Sequence, residues 1–176
     1  MRRTLFLNLL RPTLTERAPA PDAPGLAELA AQVNRAARRR LGRSLAIREV
    51  DAGSCNGCEL EIHALGNAFY DLERFGIRFV ASPRHADVLL VTGPVTRNMR
   101  EALDRTWRAT PDPKWVVAVG DCAANGGLFA ASYAVIGGVA EVIPVDLHIQ
   151  GCPPMPARLL QGLLALLDAS ARGPTA

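Results

Sequence analysis

The chain has 176 residues, 49 % of them hydrophobic, and a formal net charge of +3 from 20 basic and 17 acidic side chains. This is about one domain's worth of sequence with apolar content for a sizeable core, and no stretch approaches the about 20 uninterrupted apolar residues that span a bilayer. Five Phe, two Trp and two Tyr, none interleaved with the arginines, give stacking on single-stranded bases no support, so no nucleic-acid partner is expected.

At the amino terminus, MRRTLFLNLLRP places a paired arginine before an apolar run, as export signals do. The run is broken by Asn8 and closed by Arg11 and Pro12, short of the roughly 7 to 15 apolar residues such a signal requires, and no small-residue cleavage site follows. A cytoplasmic location is expected, with membrane association peripheral or through partners. Thr15 to Gly25, TERAPAPDAPG, holds three prolines and no apolar periodicity, and reads as an extended linker. Leu26, Leu29, Ala30, Val33, Ala37 and Leu41 then recur at helical spacing, with arginines toward the carboxyl end, where a helix dipole favours cations. Arg2, Arg3, Arg11, Arg17, Arg35, Arg38, Arg39, Arg40, Arg43 and Arg48 all precede the first cysteine, and the rest of the chain is mildly acidic. Such a basic arm suits nucleic acid, an anionic membrane surface or an acidic partner, and charge alone does not choose. Residues 1–43 are thus expected to form a basic arm, linker and amphipathic helix, 44–170 the main domain and 171–176 a tail.

From Ser44 the pattern changes. SLAIREV, GIRFVAS, ADVLLVTG, KWVVAVG and EVIPVDLHIQG read as strands, and ELEIHALGNAFYDLERF, TRNMREALDRTWRA and MPARLLQGLLALLDAS between and after them as helices. Continuous apolar strands alternating with helices predict an α/β domain with a buried, mainly parallel sheet and helices on both faces.

On that scheme Cys55 and Cys58 in SCNGCELE, Cys122 in VGDCAANGG and Cys152 in IQGCPPMP each follow a strand and precede a helix. The carboxyl ends of parallel strands lie along one edge, where ligands bind, so the three loops are expected to converge. Reduced thiols gathered there point to a metal site rather than two disulfides. Four thiolates suit structural zinc or an iron-sulfur cluster; one close pair joined by two single cysteines favours the larger cluster over a zinc ribbon. Gly57, Gly126, Gly127 and Gly151 are expected to let backbone N–H groups approach an anionic centre.

CNGCE, GDCAANGG and HIQGCPP, in this order and spacing, resemble the small-subunit family shared by NiFe hydrogenases and the B-type subunit of respiratory complex I. The resemblance covers about Ser44 to Leu167 and is greatest to the small subunit of membrane-bound, energy-conserving (group 4) hydrogenases of the formate hydrogenlyase type, YAVIGGVAEVIPVDLHIQGCPP being especially similar. It implies a flavodoxin-like domain holding one 4Fe-4S cluster, nearest the active site of a tightly bound large subunit, on Cys55, Cys58, Cys122 and Cys152. Complex I subunits of this kind usually have adjacent cysteines at the first motif, whereas hydrogenases have the separated pair found here. The further cysteine-rich region of uptake-type small subunits is missing, so other subunits would supply more clusters. The implied function is electron transfer for proton reduction or H2 oxidation, not catalytic alone. The implied partners are a NiFe-bearing large subunit, a ferredoxin-like multi-cluster subunit and membrane subunits on the inner face of the cell membrane. The alternative is the equivalent subunit of a complex I-like quinone oxidoreductase.

Other residues have two readings each. Glu59 and Glu61 would move protons or contact the large subunit, or be first-turn acids favoured by a helix dipole. Asp121, next to Cys122, would hydrogen-bond the ligand loop, or have a purely structural turn role. His63 and His148 are expected not to be ligands, four cysteines completing the site, and Asp71, Glu73 and Arg74 form a solvated or interface face. Pro153, Pro154 and Pro156 shape the last loop and start the final helix.

Overall fold

The computed structural model describes residues 23–171. The apolar start, most of the proline-rich linker and the carboxyl tail lie outside the described residues. In chain order the elements are α1 (Ala23–Leu41), β1 (Ala46–Asp51), α2 (Gly57–Ala64), β2 (Arg78–Phe79), β3 (Val88–Thr92), β4 (Val95–Thr96), α3 (Arg100–Ala109), β5 (Trp115–Val119), α4 (Asp121–Asn125), β6 (Val135–Gly137), β7 (Leu147–Ile149) and α5 (Pro156–Ala171).

Five strands form one sheet in the order β2-β1-β3-β5-β7, every neighbouring pair parallel. That is the flavodoxin-like order, with its switch point between β1 and β3. β3 and β5 are buried at every residue, which is why VLLVT and WVVAV are continuous apolar runs rather than alternating ones. Successive residues still divide between the two faces. Ile47, Leu90, Val117 and Val119 pack under α1, α2 and α5, while Leu89, Val91, Val116 and Ala118 pack with Leu103 of α3 and Ala123 of α4. α1 belongs to the first layer, because Ala30, Val33 and Ala37 are nearly or fully buried on one stripe of it. No described helix is long and apolar enough to cross a membrane.

Three local expectations change. The segment ELEIHALGNAFYDLERF is not one helix: α2 stops at Ala64, and Asn67 Oδ1 accepts the amides of Phe69 (2.8 Å) and Tyr70 (3.0 Å). An Asn side chain that takes backbone donors in this way competes with helix continuation. EVIPVDLHIQG supplies only the three residues of β7, since Pro144 has no N–H to give a ladder and Val139–Glu141 turns as a short 3-10 helix. The helix expected from Thr96 begins at Arg100, because Val95 and Thr96 form an antiparallel pair with β6.

One buried acid secures the start of the sheet. Asp87, 2 % exposed, accepts the Ala46 amide through Oδ2 (2.9 Å) and holds the Arg43 guanidinium through both oxygens (3.1 and 2.5 Å). Arg43 is half exposed, so the ion pair itself contributes little; the cost of loss is the stranded Ala46 amide. Asp87→Ala is expected to lower stability by about 2 kcal/mol, read as a reduced urea midpoint at unchanged slope.

Candidate metal-cluster site

The carboxyl end of β1 is turned by its last residue. Asp51 Oδ1 accepts the amides of Gly53 and Ser54, both at 2.7 Å, and Ser54 Oγ accepts that of Asn56 at 3.0 Å. Asn56 then adopts a left-handed conformation (φ 70°) as the cap of α2, which leaves Cys55 exposed and puts Cys58 in the first turn of the helix. From β5 the chain passes through Gly120 into α4, with Cys122 in its first turn. Beyond β7 it passes through Gly151 to Cys152.

Asp121 ties the last two loops together. Its amide donates to the Gly151 carbonyl (3.0 Å) and its Oδ1 accepts the Gly151 amide (2.9 Å), fixing Cys122 relative to Cys152. Of its two readings the structure shows the hydrogen bond: Asp121 joins its own loop to a second one rather than closing a single turn.

Cys55, Cys58, Cys122 and Cys152 line a single cavity of about 130 Å³, with Ser54, Gly93 and Pro153 in its walls. All four are free thiols. Among the described residues no three His, Cys, Asp or Glu side chains close on a point as they would around one metal ion. The four thiols border one space, and four thiolates are a donor set for structural zinc or for an iron-sulfur cluster.

Backbone approaches the sulfurs closely. A Cβ on Gly120 would lie 2.7 Å from Cys58 Sγ, and one on Gly127 would lie 2.7 Å from Cys122 Sγ, both at positive φ. Gly57 is less crowded: a Cβ there would meet Cys55 Sγ at an ordinary 3.6 Å. The motifs CNGC and GDCAANGG made Gly57 and Gly127 look alike, and only the fold separates them. Asp51, Gly93 and Gly120 were not singled out from sequence, although Asp51-Ala52-Gly53-Ser54, an Asp two residues before a Gly, is a turn signal that would have found the first.

Burial pushes the Cys58 thiol up to about 12, with Glu59 and the other three cysteines adding to the rise. Cys122 is raised by burial and then by Cys152, against the Leu128 amide, which donates to its sulfur. Four thiolates together thus repel one another, and a bound cationic centre would relieve that repulsion while releasing protons. In the metal-free chain at pH 8, iodoacetamide is expected to label exposed Cys55 and Cys152 first and Cys58 last, roughly a hundredfold slower. Raising the pH toward 12 narrows the gap, since the thiolate of Cys58 forms only there; peptide mass spectrometry in native buffer and in urea reads both.

The remaining candidates fall outside the cavity. Glu59 is 7 % exposed, and neither of its carboxylate oxygens has a hydrogen-bond partner. Glu61 is half-buried and His148 exposed on β7, while His63 is exposed with Nε2 3.7 Å from Glu49. Asp71 and Arg74 pair at the surface at 3.5 Å. Around the cysteine loops, large apolar side chains stand in solvent: Leu60, Leu128, Phe129, Tyr133 and Met155. Exposed apolar side chains of this size suit an interaction surface where they form one patch.

The family profile described as the 20 kDa subunit of NADH ubiquinone oxidoreductase matches residues 55–166. Formate hydrogenlyase subunit 7 of Escherichia coli is 45 % identical over 172 residues, covering 95 % of this chain and 67 % of that protein. A probable membrane-bound hydrogenase subunit of Pyrococcus furiosus is 46 % identical over 132 residues, 75 % of this chain and 79 % of that one. Among solved structures, a chain of the membrane-bound sulfane sulfur reductase, an archaeal respiratory membrane complex, superposes with a TM-score of 0.67 at 38 % identity, covering 82 % of this chain and 77 % of that chain.

Proposed function

We propose a function from one premise: the chain belongs to the NADH ubiquinone oxidoreductase 20 kDa subunit family. Within it, this chain acts as the electron-transfer small subunit of a membrane-associated NiFe hydrogenase complex, and Cys55, Cys58, Cys122 and Cys152 hold one 4Fe-4S cluster. The observation that carries this reading is the convergence of all four thiols on one cavity at the sheet edge.

The donor set fits the cluster, because four thiolates are its usual ligands and the Gly120 and Gly127 positions admit no side chain beside the sulfurs. When bound, the cluster supplies one-electron transfer at a potential set by its surroundings. The chain's own part is electrostatic and structural. The Leu128 amide donates to the Cys122 sulfur, a hydrogen bond of the kind that raises a cluster's potential. Half-burial of Cys58 and Cys122 keeps water from part of the site. Asp121 holds two ligand loops at fixed separation, which limits rearrangement between oxidation states. The exposed rim of Leu60, Leu128, Phe129, Tyr133 and Met155 is the face for the large subunit, so docking would cover the mouth of the cavity. A ferredoxin-like multi-cluster subunit and membrane subunits complete the complex.

A second reading has support in the likeness to the sulfane sulfur reductase chain and in the name of the matching family: a large subunit without nickel that reduces quinone or sulfur. One preparation separates the two. The native complex is isolated anaerobically through a tag on this chain and assayed for iron, acid-labile sulfide, nickel and hydrogen evolution from a reduced low-potential dye. Nickel with hydrogen evolution is the expected result. Iron and sulfide with neither moves the chain to the second reading, and one zinc per chain overturns both.

A further inference from the structure

Unpaired arginines gather at the end of the molecule remote from the cysteines. The five strands are parallel, so their amino ends form an edge opposite the cysteine loops, about 17 Å away for five residues. α1 delivers Arg39 and Arg40 to that edge in its last turn, Arg78 opens β2 opposite Ala46, and Arg84 lies in the turn that leads to β3. Backbone contacts hold these segments in place. The Arg78 amide donates to the Leu45 carbonyl at 3.1 Å, and Gly76 sits against α1 so closely that a Cβ would lie 3.1 Å from Asn34 Oδ1.

All four side chains are exposed, and none of their guanidinium groups has an ion-pair or hydrogen-bond partner among the described residues. The nearby acids are engaged: Asp87 holds Arg43 at 2.5 Å and Asp71 pairs with Arg74 at 3.5 Å. Glu73, beside Arg74, and Asp168, near the carboxyl end of α5, are the acids left to oppose the excess toward this edge. On the sheet face that Arg78 shares, Arg48 adds a buried Nε with no partner.

We propose that this arginine rim docks on the anionic headgroups of a phospholipid surface. Charge complementarity alone would equally suit an acidic protein, but two features favour lipid. The loop leading to Arg74 exposes Phe69, a residue type that inserts at the boundary of headgroup and acyl chain, and residues 1–22 repeat the same composition, with Arg2, Arg3, Arg11 and Arg17 beside Leu5, Phe6, Leu7, Leu9 and Leu10. Contact at the amino ends of the strands turns the cysteine edge away from lipid, toward the protein partner that its apolar rim fits. The inference stands apart from the identity of the cluster, because lipid binding reads neither iron nor nickel.

The test is co-sedimentation of the full chain with vesicles of mixed phosphatidylglycerol and phosphatidylcholine, and with phosphatidylcholine alone. Binding only to the mixed vesicles, weakening with salt, is expected. Each arginine near an anionic surface is worth about fivefold in affinity, so R39E/R40E on the exposed face of α1 loses at least about 25-fold, and R39E/R40E/R78E/R84E more than about 100-fold. Circular dichroism on both variants checks the fold, and the pair on α1 suffices if the quadruple variant misfolds. Equal binding to both vesicles, undiminished binding by R39E/R40E, or capture by polyglutamate without binding to anionic vesicles each overturns the proposal. So does a deletion of residues 1–22 that abolishes all binding while R39E/R40E in the full chain costs nothing.

Discussion

On the function proposed above, Cys122→Ser is expected to strip the chain of iron and sulfide and the complex of its activity. Anaerobically isolated wild-type chain should carry about four irons and as many acid-labile sulfides, and the variant less than about half of each, with electron transfer through the complex falling at least about 100-fold. Cys122 is the most telling of the four for three reasons. Its sulfur is half-buried, it receives the Leu128 amide, and its loop is tied to that of Cys152 through Asp121. A serine hydroxyl at this position is a harder and more basic ligand than thiolate, held by the same rigid loop. Iron and sulfide analysis with low-temperature electron paramagnetic resonance on the reduced complex checks the result. An unchanged signal with full iron content would remove Cys122 from the ligand set and overturn the four-cysteine assignment.

Gly120→Ala should do similar damage by different physics. Gly120 has φ 87° and ψ 162°, a region open in practice only to glycine, and the strain of placing alanine there is about 1–3 kcal/mol. The added Cβ would also stand 2.7 Å from Cys58 Sγ and 3.3 Å from the Gly151 carbonyl oxygen. The sulfur and the loop cannot both yield, because the Gly120 amide is bonded to Ile149 at 2.8 Å and Asp121 to Gly151 at 3.0 Å. A total loss near 2–4 kcal/mol is expected by urea denaturation, together with poor cluster retention. Gly57→Ala is the matched control: its Cβ meets only ordinary contacts, so iron content should stay near that of the wild type. If the two variants behave alike, close approach of backbone to sulfur is not what these glycines provide.

Much of the α/β class was legible because burial leaves a composition signature. VLLVT and WVVAV are apolar at every position since both of their faces are covered, and Ala30, Val33 and Ala37 recur at the helical period since one stripe of α1 is. Local interruptions were less legible. Asn67 ended a helix that apolar spacing alone extended to Phe75, and the short pairing of β4 with β6 carried too few residues to show a period.

The site divides along the same line. Sequence by itself pointed to the residues proposed to bear the chemistry: four cysteines in the segments that follow three strands, in motifs whose order resembles one family. What it could not determine was which neighbours matter, since that depends on contacts across the chain. Gly120 and Cys58 are 62 positions apart, yet a single methyl group on one would collide with the sulfur of the other. Asp121 meets Gly151 across 30 residues, and Arg39, Arg78 and Arg84 come to one edge only because β1, β2 and β3 run parallel. Residue identity and local period are written along the chain, whereas proximity between distant loops follows from strand order, and only the folded sheet supplies that.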